Sequence, residues 1–145
     1  CNQPDNEFRP DETNKDWKWL QDKMFQMGNL VNDKVFHFDI NGCDNELKLI
    51  KYHHGGFYGW HTDFNAGTCS IRKLVGIIQL TDPSEYVGGD VQFGIQDKDT
   101  KEWYTMNKLK GSLTLFPAFL SHNVTPVTDG TRYVIQELFV GDHFK

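Results

Sequence analysis

The sequence predicts a mainly β domain: an antiparallel double sheet of sandwich or jelly-roll type, with one helix laid across the outside of one sheet. Three observations predict it. Hydrophobic residues repeat at helical spacing only near the N-terminus. From Val35 onward they fall into roughly eight short runs of strand character. Glycine, proline, asparagine and aspartate separate those runs at hairpin-length intervals, the pattern of a sandwich or jelly roll. An immunoglobulin-like sandwich is disfavoured, because the Cys and Trp positions lack its core spacing. At 145 residues the chain can build one core and is too short for two, so residues 1–145 read as a single domain.

Residues 1–12 are polar and turn-rich, an irregular lead-in with Phe8 as its candidate anchor. A helix is predicted over 13–28. Thr13 and Asp16 form a capping box, Trp17, Leu20, Met24 and Met27 line one face, and Gly28-Asn29 ends the run. The methionines read as core filler. The sheet core is expected over 35–140. Phe36, Phe38 and Ile40 alternate on the first strand, and 47–52 forms the second. An aromatic segment follows at 57–63, then a loop over 64–70. Further strands are predicted at 74–80, 91–95, 102–106, 112–116, 124–127 and 131–140. Gly88-Gly89, Lys110-Gly111 and Thr128-Asp129-Gly130 supply turns, and Pro83 and Pro117 stop ladders.

A net charge of -5 without any basic tract argues against a nucleic-acid partner. Lys48 with Lys51, Arg72 with Lys73, and the mixed charges of 98–110 read as solvated faces. No apolar run is long enough to cross a bilayer, and no basic start followed by an apolar run marks a signal peptide. The chain opens on Cys1 rather than Met, as a processed or trimmed form does. Cys1, Cys43 and Cys69 make neither a disulfide framework nor a Cys-x-x-Cys zinc pattern, so free thiols in a reducing compartment are expected. The expectation is a cytoplasmic monomer.

The chemistry centres on Trp60-His61-Thr62-Asp63. On extended backbone, residues two apart leave one face together, so His61 and Asp63 can share a metal ion. A His-x-Asp pair alone is more often an ordinary loop. With His122 it completes a 2-His-1-carboxylate set, which leaves positions on Fe(II) open to a second substrate and dioxygen. Trp60 and Phe64 are expected on the opposite face, packing so as to exclude water from one side of the metal. Arg132 lies ten residues after His122, among Tyr133, Val134 and Ile135 on an apolar strand. A buried arginine needs an anion, and its fork suits a carboxylate, so Arg132 is the expected anchor for a dicarboxylate chelating the iron at its other end. A hairpin through 128–130 is expected to bring Arg132 beside His122. Tyr52 either donates to the same carboxylate or is a plain core tyrosine.

The pattern Tyr52, Tyr58-Gly59-Trp60-His61-Thr62-Asp63, Leu80-Thr81-Asp82-Pro83, Tyr86 with Gly88-Gly89, Gly111 to Pro117, Ser121-His122 and Pro126 to Arg132 resembles the 2-oxoglutarate and Fe(II)-dependent oxygenase superfamily. Within it the likeness is greatest to the prolyl 4-hydroxylase-like group and its PKHD-type bacterial and phage members, over Val35 to Phe139. The resemblance implies a double-stranded β-helix, cupin-like in its sheets. It implies His61, Asp63 and His122 as iron ligands, Arg132 holding the distal carboxylate of 2-oxoglutarate, and Tyr52 assisting. It further implies O2 as cosubstrate, ascorbate as supporting reductant, and hydroxylation of a C–H bond, most readily of a peptidyl proline, with release of succinate and CO2. The setting it suggests is the cytoplasm of a bacterium or of a phage-infected cell.

Substrate contacts are expected from 64–72, 82–89 and 95–103, with Phe57, Tyr58, Tyr86, Trp103 and Tyr104 as an aromatic groove for a peptide or protein. A free amino acid or small metabolite is the alternative substrate. A cupin-like metal protein without 2-oxoglutarate turnover and a non-catalytic binding module are the alternatives in other classes. Less structure precedes Thr13 than in the family, which leaves one sheet edge in doubt and open to pairing with another chain.

Overall fold

The computed structural model describes residues 7–8, 17–44 and 47–144. In chain order the strands are β1 (Glu7–Phe8), β2 (Gly42–Cys43), β3 (Lys48–Tyr52), β4 (Tyr58–His61), β5 (Arg72–Gln79), β6 (Tyr86–Gly88), β7 (Val91–Gln96), β8 (Trp103–Thr105), β9 (Leu113–Pro117), β10 (His122–Val124), β11 (Val127–Gly130) and β12 (Arg132–Val140), with one α-helix, α1 (Lys18–Val31), between β1 and β2. The described residues therefore carry twelve strands rather than about eight, because several pairings are only two to four residues long.

The larger sheet runs β1-β3-β12-β5-β9, with β2 also on β12, and the smaller runs β4-β10-β7-β8. A separate ribbon pairs β6 with β11, and every pairing is antiparallel. Both strand orders are open. Ile50, Val75, Ile77, Val134 and Leu138 of the larger sheet meet Val91 and Val124 of the smaller one, forming a core shared between them. β1 pairs along β3, with Glu7 opposite Ile50 and Phe8 opposite Leu49.

Period 2 gives the larger sheet a second apolar face, and α1 covers it. Met24, Leu47 and Ile135 are buried there, with Trp17, Leu20, Leu49, Ile78 and Leu113 against them. The helix expected at 13–28 is described over Lys18–Val31, so it runs three residues past its expected end. Thr13 and Asp16 lie outside the described residues, and Gly28-Asn29 does not end the helix. A Cβ on Gly28 would sit 2.4 Å from the Phe139 ring, so this glycine lets helix and sheet approach closely rather than acting as a stop. The end comes after a π-helical turn at Asn32–Phe36, where the Asn32 side chain bonds both the N–H and the C=O of Phe38 and His37 turns left-handed at φ 57°.

That turn also removes the strand expected over 35–40. Phe36 and Phe38 stack on each other, and Phe38 meets Phe119 and Phe144 edge-on. Two of the lysines expected on solvated faces are buried: Lys48, and Lys73, whose ammonium stands 3.4 Å from the centre of the Phe144 ring.

Glu137 lies on the helix-covered face of β12 with no exposed surface. Gln21 of α1 donates to it at 2.8 Å, and the Leu138 N–H at 3.0 Å. Burial pushes its pKa up to about 7, despite both hydrogen bonds. A carboxyl raised on folding binds more protons folded than unfolded between its two pKa values. Its stabilising contribution is therefore complete below the unfolded value and lost as pH rises toward 7. Urea unfolding is expected to show stability falling between pH 5 and pH 8 by up to roughly 3 kcal/mol from this group. Glu137→Gln should flatten the profile; an unchanged slope would contradict this origin.

Candidate active site

The smaller sheet delivers both histidines. On its ladder His61 of β4 faces His122 of β10, while Tyr58 faces Val124. Gly59 and Trp60 of β4 thus oppose the single Asn123 of β10, a bulge that puts Tyr58 and His61 on one face. The His61 and Tyr58 rings lie 3.8 Å apart between centroids, and those of His61 and His122 4.2 Å apart. Asp63 lies beyond the end of β4. It is held there because its own N–H and that of Phe64 both donate to the Ala118 carbonyl, at 2.9 and 3.0 Å.

The potential ligand atoms of His61, Asp63 and His122 all lie within 4.8 Å of one another. Nδ1 of His61 is 2.7 Å from the Gly59 carbonyl, and Nδ1 of His122 is 2.9 Å from that of Leu120. A carbonyl can only accept, so each Nδ1 carries a proton, the tautomer in which a neutral ring leaves the Nε2 lone pair for a metal. Burial holds His122 below the usual histidine range against the pull of Asp63, keeping the ring neutral as a metal ligand must be. Asp63 Oδ2 is buried with no hydrogen-bond partner, 3.4 Å from His122 Nε2. An orphaned carboxylate oxygen facing two imidazole lone pairs fits a divalent cation.

Arg132 lines the same cavity as these three residues and is 1% exposed. It reaches them differently from the expected hairpin. Thr128-Asp129-Gly130 belongs to β11, which pairs with β6, so Arg132 enters the larger sheet while His122 stays in the smaller. The two stand on facing sheets, and not on adjacent strands.

In register Arg132 is opposite Tyr52, with its guanidinium carbon 5.4 Å from the centre of that ring. Its Nε donates to Gln79 Oε1 at 3.1 Å, and Gln79 Nε2 donates to the Thr81 carbonyl at 2.9 Å and the Tyr86 hydroxyl at 3.0 Å. Among the described residues no carboxylate stands within ion-pair distance of Arg132. Burial lowers its pKa while the Tyr52 and Tyr86 phenols oppose the shift; a guanidinium keeps its charge regardless. Gly89, at φ +60°, leaves room for the side chain: a Cβ there would meet Arg132 Cδ at 3.0 Å.

The aromatic residues expected to form a groove differ in their surroundings. Tyr58 lines the cavity, but Tyr86 is buried against Gln79, and Phe57 and Tyr104 are exposed. Trp60 does not shield the metal ligands: the bulge turns it outward, half exposed, against Trp103 at 5.0 Å. Phe64 packs on the core and against Phe144. Gln79 and Gln136 are site residues that the sequence reading passed over, and Arg72, read as a solvated charge at the end of a substrate-contact segment, lines the cavity as well. Gln79 and Gln136 are polar residues within apolar strands, a signal that was readable; Arg72 carried none, since its partners are remote in sequence.

Fold and site together define a mainly β protein with a 2-His-1-carboxylate centre. The family model described as the 2OG-Fe(II) oxygenase superfamily matches residues 47–139, and the chain belongs to that superfamily. It is 33% identical over 90 residues to a PKHD-type hydroxylase of Aliarcobacter butzleri, covering 58% of this chain and 38% of that one. A PKHD-type hydroxylase of Delftia acidovorans is 32% identical over 120 residues, covering 74% and 51%. The chain thus spans about half or less of these relatives' length. In fold it is similar to a Pseudomonas putida prolyl-4-hydroxylase (TM-score 0.72, 17% identity, 94% of this chain and 71% of that one). A Trichoplax adhaerens prolyl hydroxylase bound to a hypoxia inducible factor peptide is also similar (TM-score 0.71, 16% identity, 92% and 61%).

Gln79→Leu removes the acceptor of a buried guanidinium N–H and is expected to cost about 1–3 kcal/mol of unfolding free energy in urea. Gln79→Glu, which keeps an acceptor, should recover part of it. Equal stability of Gln79→Leu and the parent would show that the bond to Arg132 contributes nothing.

Proposed function

We propose that this chain is an Fe(II)- and 2-oxoglutarate-dependent hydroxylase acting on a peptidyl proline. One observation carries the reading: two histidines and an orphaned carboxylate share a cavity with a buried guanidinium on the facing sheet that has, among the described residues, no carboxylate within ion-pair distance. Such a guanidinium calls for an anion from outside, and a chelating diacid fits both ends.

His61, Asp63 and His122 hold the iron. Arg132 forks the distal carboxylate of 2-oxoglutarate, with Tyr52 beside it. Bound Fe(II) supplies the redox chemistry by which dioxygen and 2-oxoglutarate yield succinate, CO2 and a hydroxylated C–H bond. The chain's task is orientation. The carbonyls of Gly59 and Leu120 fix the imidazole tautomers, Gln79 aims the guanidinium, and Ile50, Ile77, Val91, Val124 and Val134 keep the cavity wall apolar. Tyr58, which packs against His61 and lines the cavity, would contact a substrate bound there.

The peptidyl-proline substrate draws support from the named activities of the structural neighbours and from the relatives' description as PKHD-type hydroxylases. In the same reading the two facing sheets form the superfamily's double-stranded β-helix, and the chain is one domain acting as a monomer. Ascorbate serves by returning oxidised iron to Fe(II). The free thiol of Cys43 suits the cytoplasm of a bacterium or phage-infected cell.

Anaerobic addition of Fe(II) and 2-oxoglutarate is expected to give a weak visible charge-transfer band. Admission of O2 with a proline-containing peptide should give stoichiometric succinate and a one-oxygen mass increase. His61→Ala and Asp63→Ala should each lower turnover by more than about a hundredfold. A band without peptide oxidation, but with oxidation of free proline, would replace the substrate. Absence of both band and succinate would leave a metal-binding protein without this activity.

A further inference from the structure

Asp63 is the one member of the metal-binding set that no ladder fixes. β4 ends at His61, and the Asp63 carboxylate finds no hydrogen-bond donor for its buried Oδ2. Its direction must come from the backbone that carries it. That backbone is gripped on one side by the Ala118 carbonyl and on the other by Arg72, whose Nη1 donates to the Asp63 carbonyl at 3.3 Å.

The guanidinium is itself aimed. Nε and Nη2 of Arg72 both donate to Asp44 Oδ2, at 3.2 and 2.9 Å. Asp44 is tied in turn to the larger sheet, its N–H donating to the Leu138 carbonyl of β12 at 2.7 Å. The pair is shielded, with side-chain exposures of 15% for Arg72 and 37% for Asp44, so it is stiffer than a solvent-exposed ion pair.

We propose that Arg72 is a positioning residue for the metal centre: through its fork it ties the backbone of Asp63 to Asp44 and thereby sets the affinity of the site for its cation. The inference rests on the reading that His61, Asp63 and His122 hold the metal. Arg72 touches neither metal nor substrate in this role. It acts as outer-sphere partners of metal ligands do, by limiting the orientations that the ligand can adopt. Because Asp44 follows β2 directly, the same link makes the site sensitive to the seating of residues 41–44 on β12, where Asn41 and Asp44 bond the carbonyls of Val140 and Leu138.

The test is a Co(II) titration followed by visible absorption, with Co(II) as a redox-stable stand-in for Fe(II). Arg72→Met is expected to weaken Co(II) binding by roughly tenfold to a hundredfold. Arg72→Lys, which keeps charge but loses the fork, should fall between parent and Arg72→Met. Asp44→Asn should weaken binding less than Arg72→Met, and the double variant Arg72→Met/Asp44→Asn no more than Arg72→Met alone, because both act through one link. With metal saturating, the KM for 2-oxoglutarate should stay at the parent value in Asp44→Asn, which a general loosening of the cavity would not allow.

Folded Arg72→Met or Arg72→Lys protein, checked by circular dichroism, with Co(II) affinity within twofold of the parent overturns the proposal while the metal reading stands. Additive effects of the two substitutions overturn it as well. A parent protein that binds no Co(II) overturns the metal reading and this inference together.

Discussion

Burying a guanidinium without a carboxylate partner is costly, and a folded chain keeps one where something else supplies the anion. Among the described residues, Arg132 has no carboxylate within ion-pair distance. It stands at the start of β12, the strand that joins β2, β3 and β5 in the larger sheet, and the ladder with β3 sets it opposite Tyr52. Gln79 neutralises one N–H of the fork with an amide oxygen, which adds no charge, and Gly89 leaves the space the side chain needs. The arrangement keeps a positive end on the cavity, with His61, Asp63 and His122 among the other residues that line it.

The two sheets divide the work. The smaller sheet brings His61 and His122 together by register, and a bulge in β4 adds Tyr58 to the same face. The larger sheet carries Arg132 and Tyr52. Asp63 belongs to neither ladder; Ala118, at the end of β9, and Arg72, at the start of β5, hold its backbone. The geometry of the centre therefore depends on the spacing between sheets, and that spacing depends on the shared core of Ile50, Val75, Ile77 and Leu138 against Val91 and Val124. Helix α1, packed on the far face through Met24 and Gly28, stiffens the larger sheet without touching the chemistry.

What was legible in the sequence follows from the range of the interactions involved. His61-x-Asp63, the isolated Arg132 in an apolar run, and the strands 47–52 and 131–140 declare themselves through local pattern. Residues whose roles depend on remote partners misled the reading. Gly28 looked like a helix stop because its partner, Phe139, is more than a hundred residues away. Phe36, Phe38 and Ile40 alternate as a strand would, but Asn32 closes a turn over them. Lys73 and Arg72 looked like a solvated pair because neither Phe144 nor Asp44 is near in sequence. Tyr86 looked like a groove residue, since its link to Gln79 forms only once β6 folds over the end of β5. The Gly130 turn looked like a hairpin because sheet exchange between β11 and β12 leaves no local mark.

The claim that joins these parts is that one cavity holds a cation at its histidine wall and a diacid's far carboxylate at its arginine wall. Crystals grown without oxygen in the presence of Fe(II) and 2-oxoglutarate test it directly, through anomalous diffraction at the iron edge and the density of the diacid. The account predicts a single iron bound by His61, Asp63 and His122, with 2-oxoglutarate chelating it and its other carboxylate forked by Arg132. Iron bound elsewhere, or a diacid that leaves Arg132 without a carboxylate, would contradict it.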